Sequence, residues 1–290
     1  MGQEEAEEGV MSENTTVEQP LSGKGTDDTA NHVVCLHREI EEDYDYNEAI
    51  KTFRTNIQFC GSSIRTIMCT SAMPDEGKSD VSFALAQSLA QISRRTLLID
   101  TDIRKSVLVT RYHLEQEVNG LSQYLSGQKA IGDIIYATNQ ENLSVIFAGP
   151  YSPNPAELLE EPLFGELLAY AREHYDYVIL DTAPLGGLID AAIVARHCDG
   201  AVMVIEADAI SRRLEQRVKE QLEKSGCRIL GVVINKVDFH QNRYYGKYGK
   251  YGHYGKYAKY GYGNYGQYGK DTGSGKESGK KAAKKKEAGK

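Results

Sequence analysis

Tryptophan is absent from the 290 residues, and cysteine occurs only five times, at Cys35, Cys60, Cys69, Cys198 and Cys227. No two cysteines are closer than nine residues, which excludes a CxxC zinc or iron–sulfur clip. Their odd number argues against a disulfide framework and for free thiols in a reducing cytoplasm. No apolar run approaches the roughly 18 residues that a membrane helix needs, so any membrane role is expected to come through a partner. The first residues, MGQEEAEEGV, lack the basic and apolar regions of a signal peptide. Ala6 stands where a myristoylation signal after Gly2 wants serine or threonine.

What is present begins with charge. The formal net charge of −7 hides two ends of opposite sign. Residues 1–45 hold thirteen acids against two bases, and residues 241–290 hold thirteen bases against three acids. Residues 1–33 are acidic and poor in apolar side chains, and read as a disordered segment. Residues 34–240 form the expected folded domain, and residues 241–290 a second disordered tail.

Between the tails, apolar stretches alternate with helical patterns. Six strands are expected, at 63–72, 96–102, 143–149, 177–184, 200–207 and 228–237. Helices are expected from Asp45 (with Ala49, Ile50, Phe53 and Ile57 on one face), at 79–91 as an amphipathic helix, at 155–174 and at 211–225. This alternation predicts an α/β fold, a mostly parallel sheet with helices on both faces. Ligands of such sheets sit at the carboxyl ends of the strands.

The first strand ends in SAMPDEGKSD, residues 71–80. Gly77, Lys78 and Ser79 open the following helix, as a phosphate site requires. Backbone N–H groups converge there, Lys78 can reach the β/γ-phosphates, and the Ser79 hydroxyl can ligate Mg²⁺. Ala72 replaces the first glycine of the full Walker pattern, so context, more than the bare GKS, carries the assignment to a P-loop NTPase-type fold. Asp75, Glu76, Gly77, Lys78, Ser79 and Asp80 form the candidate nucleotide-binding turn. Asn235, at the end of the last apolar run, is a candidate to approach the adenine. The second strand ends in LLIDTDIRK, where Asp100 and Asp102 share one side if extended. Asp181 closes YVILD in the manner of a Walker-B aspartate, orienting magnesium directly or through water. Together these sites describe a Mg-nucleotide phosphoryl-transfer centre.

The chain resembles the cytoplasmic catalytic domain of bacterial tyrosine kinases of capsular and exopolysaccharide systems. The matching pieces are EAIKTFRTNI (48–57), SAMPDEGKS (71–79), LLIDTDIRK (97–105), GLSQYLSG (120–127), PNPAELL (153–159) and DTAPLGGLIDA (181–191). The resemblance implies ATP-dependent autophosphorylation of tail tyrosines, by one subunit on its neighbour in a homo-oligomeric ring. It implies Lys78 on the phosphates, Ser79, Asp100 and Asp181 around Mg²⁺, and Asp102 as base or metal-orienting group. Glu48, Lys51 and Arg54 fall on the family's oligomerisation motif and share one helix face by spacing. Asp75 and Asp80 depart from the family's usual glycine and hydroxyl residue; a carboxylate at position 80 repels nucleotide unless magnesium, water or a basic neighbour compensates. A separate transmembrane polysaccharide co-polymerase adaptor, a phosphotyrosine phosphatase and recruitment of a cytoplasmic protein to the inner membrane face are further implications.

The tail supplies the acceptors: Tyr244, Tyr245, Tyr248, Tyr251, Tyr254, Tyr257, Tyr260, Tyr262, Tyr265 and Tyr268, ten of nineteen tyrosines on a strip of glycine and lysine. Glycine gives such a strip the freedom to reach a recessed site. Two competing readings remain. One is a switch ATPase, although Met73 stands where cell-division and partition ATPases carry a signature lysine. The other is a scaffold whose tail binds nucleic acid by stacking and charge, which the phosphate site disfavours.

Overall fold

A computed structural model describes residues 33–36, 44–114, 116–209 and 212–237; the acidic segment and the ten tail tyrosines lie outside them. The order is β1 (Val33–Val34), α1 (Tyr44–Phe59), β2 (Thr66–Ser71), α2 (Lys78–Ala90), β3 (Thr96–Asp100), α3 (Leu108–Arg111) and α4 (Leu121–Leu125). Then follow β4 (Tyr136–Thr138), β5 (Leu143–Ile146), α5 (Pro155–Glu160), α6 (Pro162–His174), β6 (Tyr177–Asp181), α7 (Asp190–Ala195), β7 (Gly200–Glu206), α8 (Arg212–Lys224) and β8 (Ile229–Asn235).

The strands form one sheet in the order β1-β4-β5-β3-β6-β2-β7-β8. Every pairing is parallel except β4 with β5. Alternate residues feed two cores, one on each face. Met68, Leu97, Ile99, Val178 and Leu180 pack with α4 to α8. Ile67, Cys69, Leu98 and Ile179 pack with α1 to α3. Burial on both faces explains why these strands read as continuous apolar runs. It also pushes the Cys69 thiol up to about 12, leaving a packing residue rather than a nucleophile.

Three expectations need correction. The sheet has eight strands, because β1 and β4 are two and three residues long, too short to give a period. The single helix expected over 155–174 is two, since Pro162 holds Glu161 extended at ψ 144°. Helix α2 is not amphipathic: ten of its thirteen residues are buried. Helix α1 covers its outer side, where Arg54 Nη1 donates to the Ser88 carbonyl at 2.9 Å.

Candidate active site

Strands β3, β6 and β2 are neighbours in the sheet, so residues far apart in sequence finish at one edge. Asp100 and Asp181 are direct register partners on β3 and β6. The Thr101 N–H and hydroxyl both donate to the Asp181 carbonyl at 2.8 Å, which fixes the β3 end against β6.

The turn after β2 is braced from inside. Gly77 caps α2 with φ +88°, a left-handed conformation that favours glycine. A Cβ there would lie 2.0 Å from Asn235 Nδ2. Asp75 takes φ +67°, tolerated by aspartate better than by most residues. The Glu76 side chain is buried beneath the turn, where it accepts from the Met73 N–H at 2.7 Å and the Glu206 N–H at 3.3 Å. From β8, Asn235 Nδ2 donates to the Glu76 carbonyl at 2.9 Å and Lys236 Nζ to the Asp75 carbonyl at 2.6 Å. The chain after β6 closes the other side: the Leu185 and Gly186 N–H groups donate to the Ser71 and Ala72 carbonyls at 2.8 and 3.0 Å.

Lys78 rises from this turn into a cluster of acids. Its Nζ lies 3.3 Å from Asp181 Oδ1, 3.7 Å from Asp102 Oδ2 and 3.2 Å from Ser79 Oγ. Burial opposes its charge, but Asp181, then Asp102 and Asp100, outweigh that and hold its pKa above the ordinary lysine value. Asp100 is pushed up to about 7, first by burial and next by Asp181. The Asp102 N–H and the Ser106 hydroxyl both donate to its carboxylate. Ser82 donates to Asp181 Oδ1 at 3.2 Å. Three buried carboxylates therefore face one ammonium, an arrangement short of positive charge. A cavity of about 600 Å³ opens beside them, lined by Met73, Lys78, Asp102, Arg104, Arg111 and Gly186 among others.

Lys78, Ser79, Asp100, Asp102 and Asp181 thus come together as expected. Asn235 and Glu76 sit at the turn as braces: the Asn235 amide is turned onto the turn's backbone and the Glu76 carboxylate inward. Asp80 finds the basic neighbour it needs, with Arg111 Nη1 2.7 Å from its Oδ2. The oligomerisation trio divides. Glu48 and Lys51 pair with each other at 2.7 Å on an exposed surface, whereas Arg54 is turned onto α2, its Nη1 donating to the Ser88 carbonyl and hydroxyl. Spacing of three put all three on one face, but at about 100° per residue Arg54 stands about 120° round the helix from Glu48, on the side that meets α2.

Sequence reasoning missed Ser82, Ser106, Arg111 and the Arg104–Asp190 pair, in which both Nε and Nη2 of Arg104 engage the buried carboxylate. Only Ser82 had a local signal, lying one helical turn beyond Lys78.

A family model described as an AAA domain matches residues 64–213. The tyrosine-protein kinase CpsD of Streptococcus agalactiae is 42% identical over 201 residues, covering 69% of this chain and 86% of that protein. The tyrosine-protein kinase YwqD of Bacillus subtilis is 36% identical over 202 residues, covering 69% and 85% respectively. The solved kinase domain of Escherichia coli tyrosine kinase ETK is similar with a TM-score of 0.62 at 32% identity, over 66% of this chain and 77% of that one. Sequence, fold and the strand-end constellation agree, and the chain belongs to the bacterial tyrosine-kinase family.

Proposed function

We propose that this protein-tyrosine kinase is an ATP- and Mg²⁺-dependent autokinase whose acceptors are its own tyrosines from Tyr244 to Tyr268. Transfer runs between subunits of a homo-oligomeric ring. The observation that carries this reading is the burial of Asp100, Asp102 and Asp181 around the single ammonium of Lys78.

The residues present fit a magnesium nucleotide. Among the described residues no three histidine, cysteine or acidic side chains make a protein cage for a metal. Magnesium does not require one, since it commonly takes one or two carboxylates together with phosphates and waters. Ser79, Asp100 and Asp181 would hold the ion, and Lys78 with the turn 75–80 the phosphates. Bound Mg-ATP supplies the phosphoryl group, which passes to a tyrosine hydroxyl and leaves ADP. A phenol with pKa about 10 arrives protonated at neutral pH, and Asp102 accepts its proton or orients it. Pinned by Asp190, Arg104 holds the turn that carries Asp102, whose Oδ1 accepts from the Lys105 N–H at 3.0 Å. Asn235 and Lys236 hold the phosphate turn by its backbone carbonyls, and the adenine is assigned to the neighbourhood of Asn235.

By family likeness, the kinase regulates capsular or exopolysaccharide synthesis and export. A transmembrane adaptor recruits it to the inner face of the cell membrane, and a phosphotyrosine phosphatase reverses the modification. No helix among the described residues is long and apolar enough to cross a membrane.

Incubation of the full chain with Mg-ATP, followed by peptide mass spectrometry, tests the reading. Phosphate is expected on the tract from Tyr244 to Tyr268 and is expected to vanish with Lys78→Met. Release of inorganic phosphate with an unmodified tract would instead establish a switch ATPase. Neither release nor modification, with salt-sensitive RNA binding, would establish a scaffold.

A further inference from the structure

Asp80 is the third residue of α2, on the helix that opens at the phosphate turn. A helix N-terminus favours an anion, and here the protein has already placed one. A fixed carboxylate beside Lys78 and Ser79 opposes an incoming polyphosphate of the same sign. What makes the arrangement workable is Arg111, the last residue of α3. Its Nη1 lies 2.7 Å from Asp80 Oδ2, and the two side chains are each 38% exposed. Both line the cavity that Lys78 and Ser79 line.

The pair is poorly explained as a device for folding. An ion pair this open to water contributes little to stability. Its place does give it a consequence for a ligand, because a charge at the mouth of a partly enclosed pocket acts on whatever ion enters. Arg111 comes from the segment following β3, whose Asp100 and Asp102 belong to the same centre. The cation is therefore carried by the chain that carries the acids.

We propose that Arg111 is a determinant of nucleotide affinity: it neutralises Asp80 and so lets the phosphate turn accept a polyphosphate despite an acid at that position. The inference rests on the nucleotide site proposed above. It makes a prediction of sign as well as size. Removing Arg111 exposes Asp80 and weakens binding, while removing Asp80 as well restores it.

Calorimetric titration of Mg-ADP into the full-length wild type, Arg111→Ala, Asp80→Ala and the double variant tests this. Arg111→Ala is expected to weaken binding at least about tenfold, a defect that shrinks as salt is raised. The double variant is expected to return to within about threefold of wild type, and Asp80→Ala to bind at least as tightly as wild type. Arg111→Gln, which keeps most of the side chain's bulk, is expected to repeat the Arg111→Ala defect. Thermal midpoints of the nucleotide-free variants are expected to match wild type, separating lost affinity from lost fold. The inference is overturned if both Arg111 variants bind like wild type, or if adding Asp80→Ala leaves the Arg111→Ala defect in place. A wild type that takes up no Mg-ADP overturns the nucleotide site itself, a result visible before any variant is compared.

Discussion

At Asp100, burial works against acidity. Its pKa is pushed up to about 7 from 3.8, so the folded protein binds more protons here than the unfolded chain between those values. Stability contributed by this group is therefore present at low pH and lost as pH rises through that window. In nucleotide-free, metal-free protein, Asp100→Asn is expected to raise the unfolding free energy at pH 8 by about 1 kcal/mol or more, seen as a higher melting temperature. By pH 5 the gain should be much smaller; an equal gain at both pH values in thermal melts would show that the charge is not what burial penalises. The same substitution is expected to abolish tyrosine phosphorylation, as befits a group held under strain for a ligand's sake. Gly77 makes a complementary case. Its φ of +88° and the nearness of Asn235 leave no room for a methyl group. Gly77→Ala is expected to cost more than about 1 kcal/mol in denaturant unfolding, and an unchanged midpoint would mean that the β8 brace yields freely.

Among the elements, the start of β2 is tied to the start of β7 by one side chain. Asp199 accepts from the Arg65 and Thr66 N–H groups at 2.9 and 2.8 Å and from Arg172 Nη2 at 2.8 Å. Burial would raise its pKa, but Arg172 and these two N–H groups hold it below the usual carboxylate value. Asp199→Ala leaves the buried Thr66 N–H and the half-buried Arg65 and Arg172 donors without this acceptor and is expected to destabilise by about 1–3 kcal/mol, measured by chemical denaturation. Loss of less than about 0.5 kcal/mol would mean that water replaces the carboxylate. The six long strands were legible in the sequence because burial on both faces leaves an uninterrupted apolar run. So were Lys78, Asp100 and Asp181, because strand ends in a parallel sheet are where sites form. Strands of two or three residues leave no such trace. The break before Pro162 does have a signal, the proline itself, which the helical pattern on either side of it overrode. Arg111 and Asp190 were illegible for another reason: each meets its partner, Asp80 or Arg104, across 31 or 86 positions of sequence. Local pattern cannot report a contact that only the sheet order creates.

At the scale of the whole molecule, charge is unevenly placed along the chain. The ends of the chain carry opposite charge, and each phosphotyrosine adds about −1.5 to −2 charges at neutral pH. Full modification of ten tyrosines would reverse the basic character of residues 241–290, and we expect that reversal to loosen the proposed ring. Light scattering at matched salt and concentration should give a smaller assembly for the phosphorylated protein than for Lys78→Ala; equal masses would refute the charge switch. Beneath that lies the claim that the ends of β2, β3 and β6 hold a metal-bound nucleotide. Its most direct test is calorimetric titration of ATP into the intact protein with Mg²⁺ and with excess chelator. Saturable uptake that requires magnesium and disappears in Lys78→Met is the predicted result. Absence of uptake with magnesium, or binding of equal strength in its absence, would contradict the account.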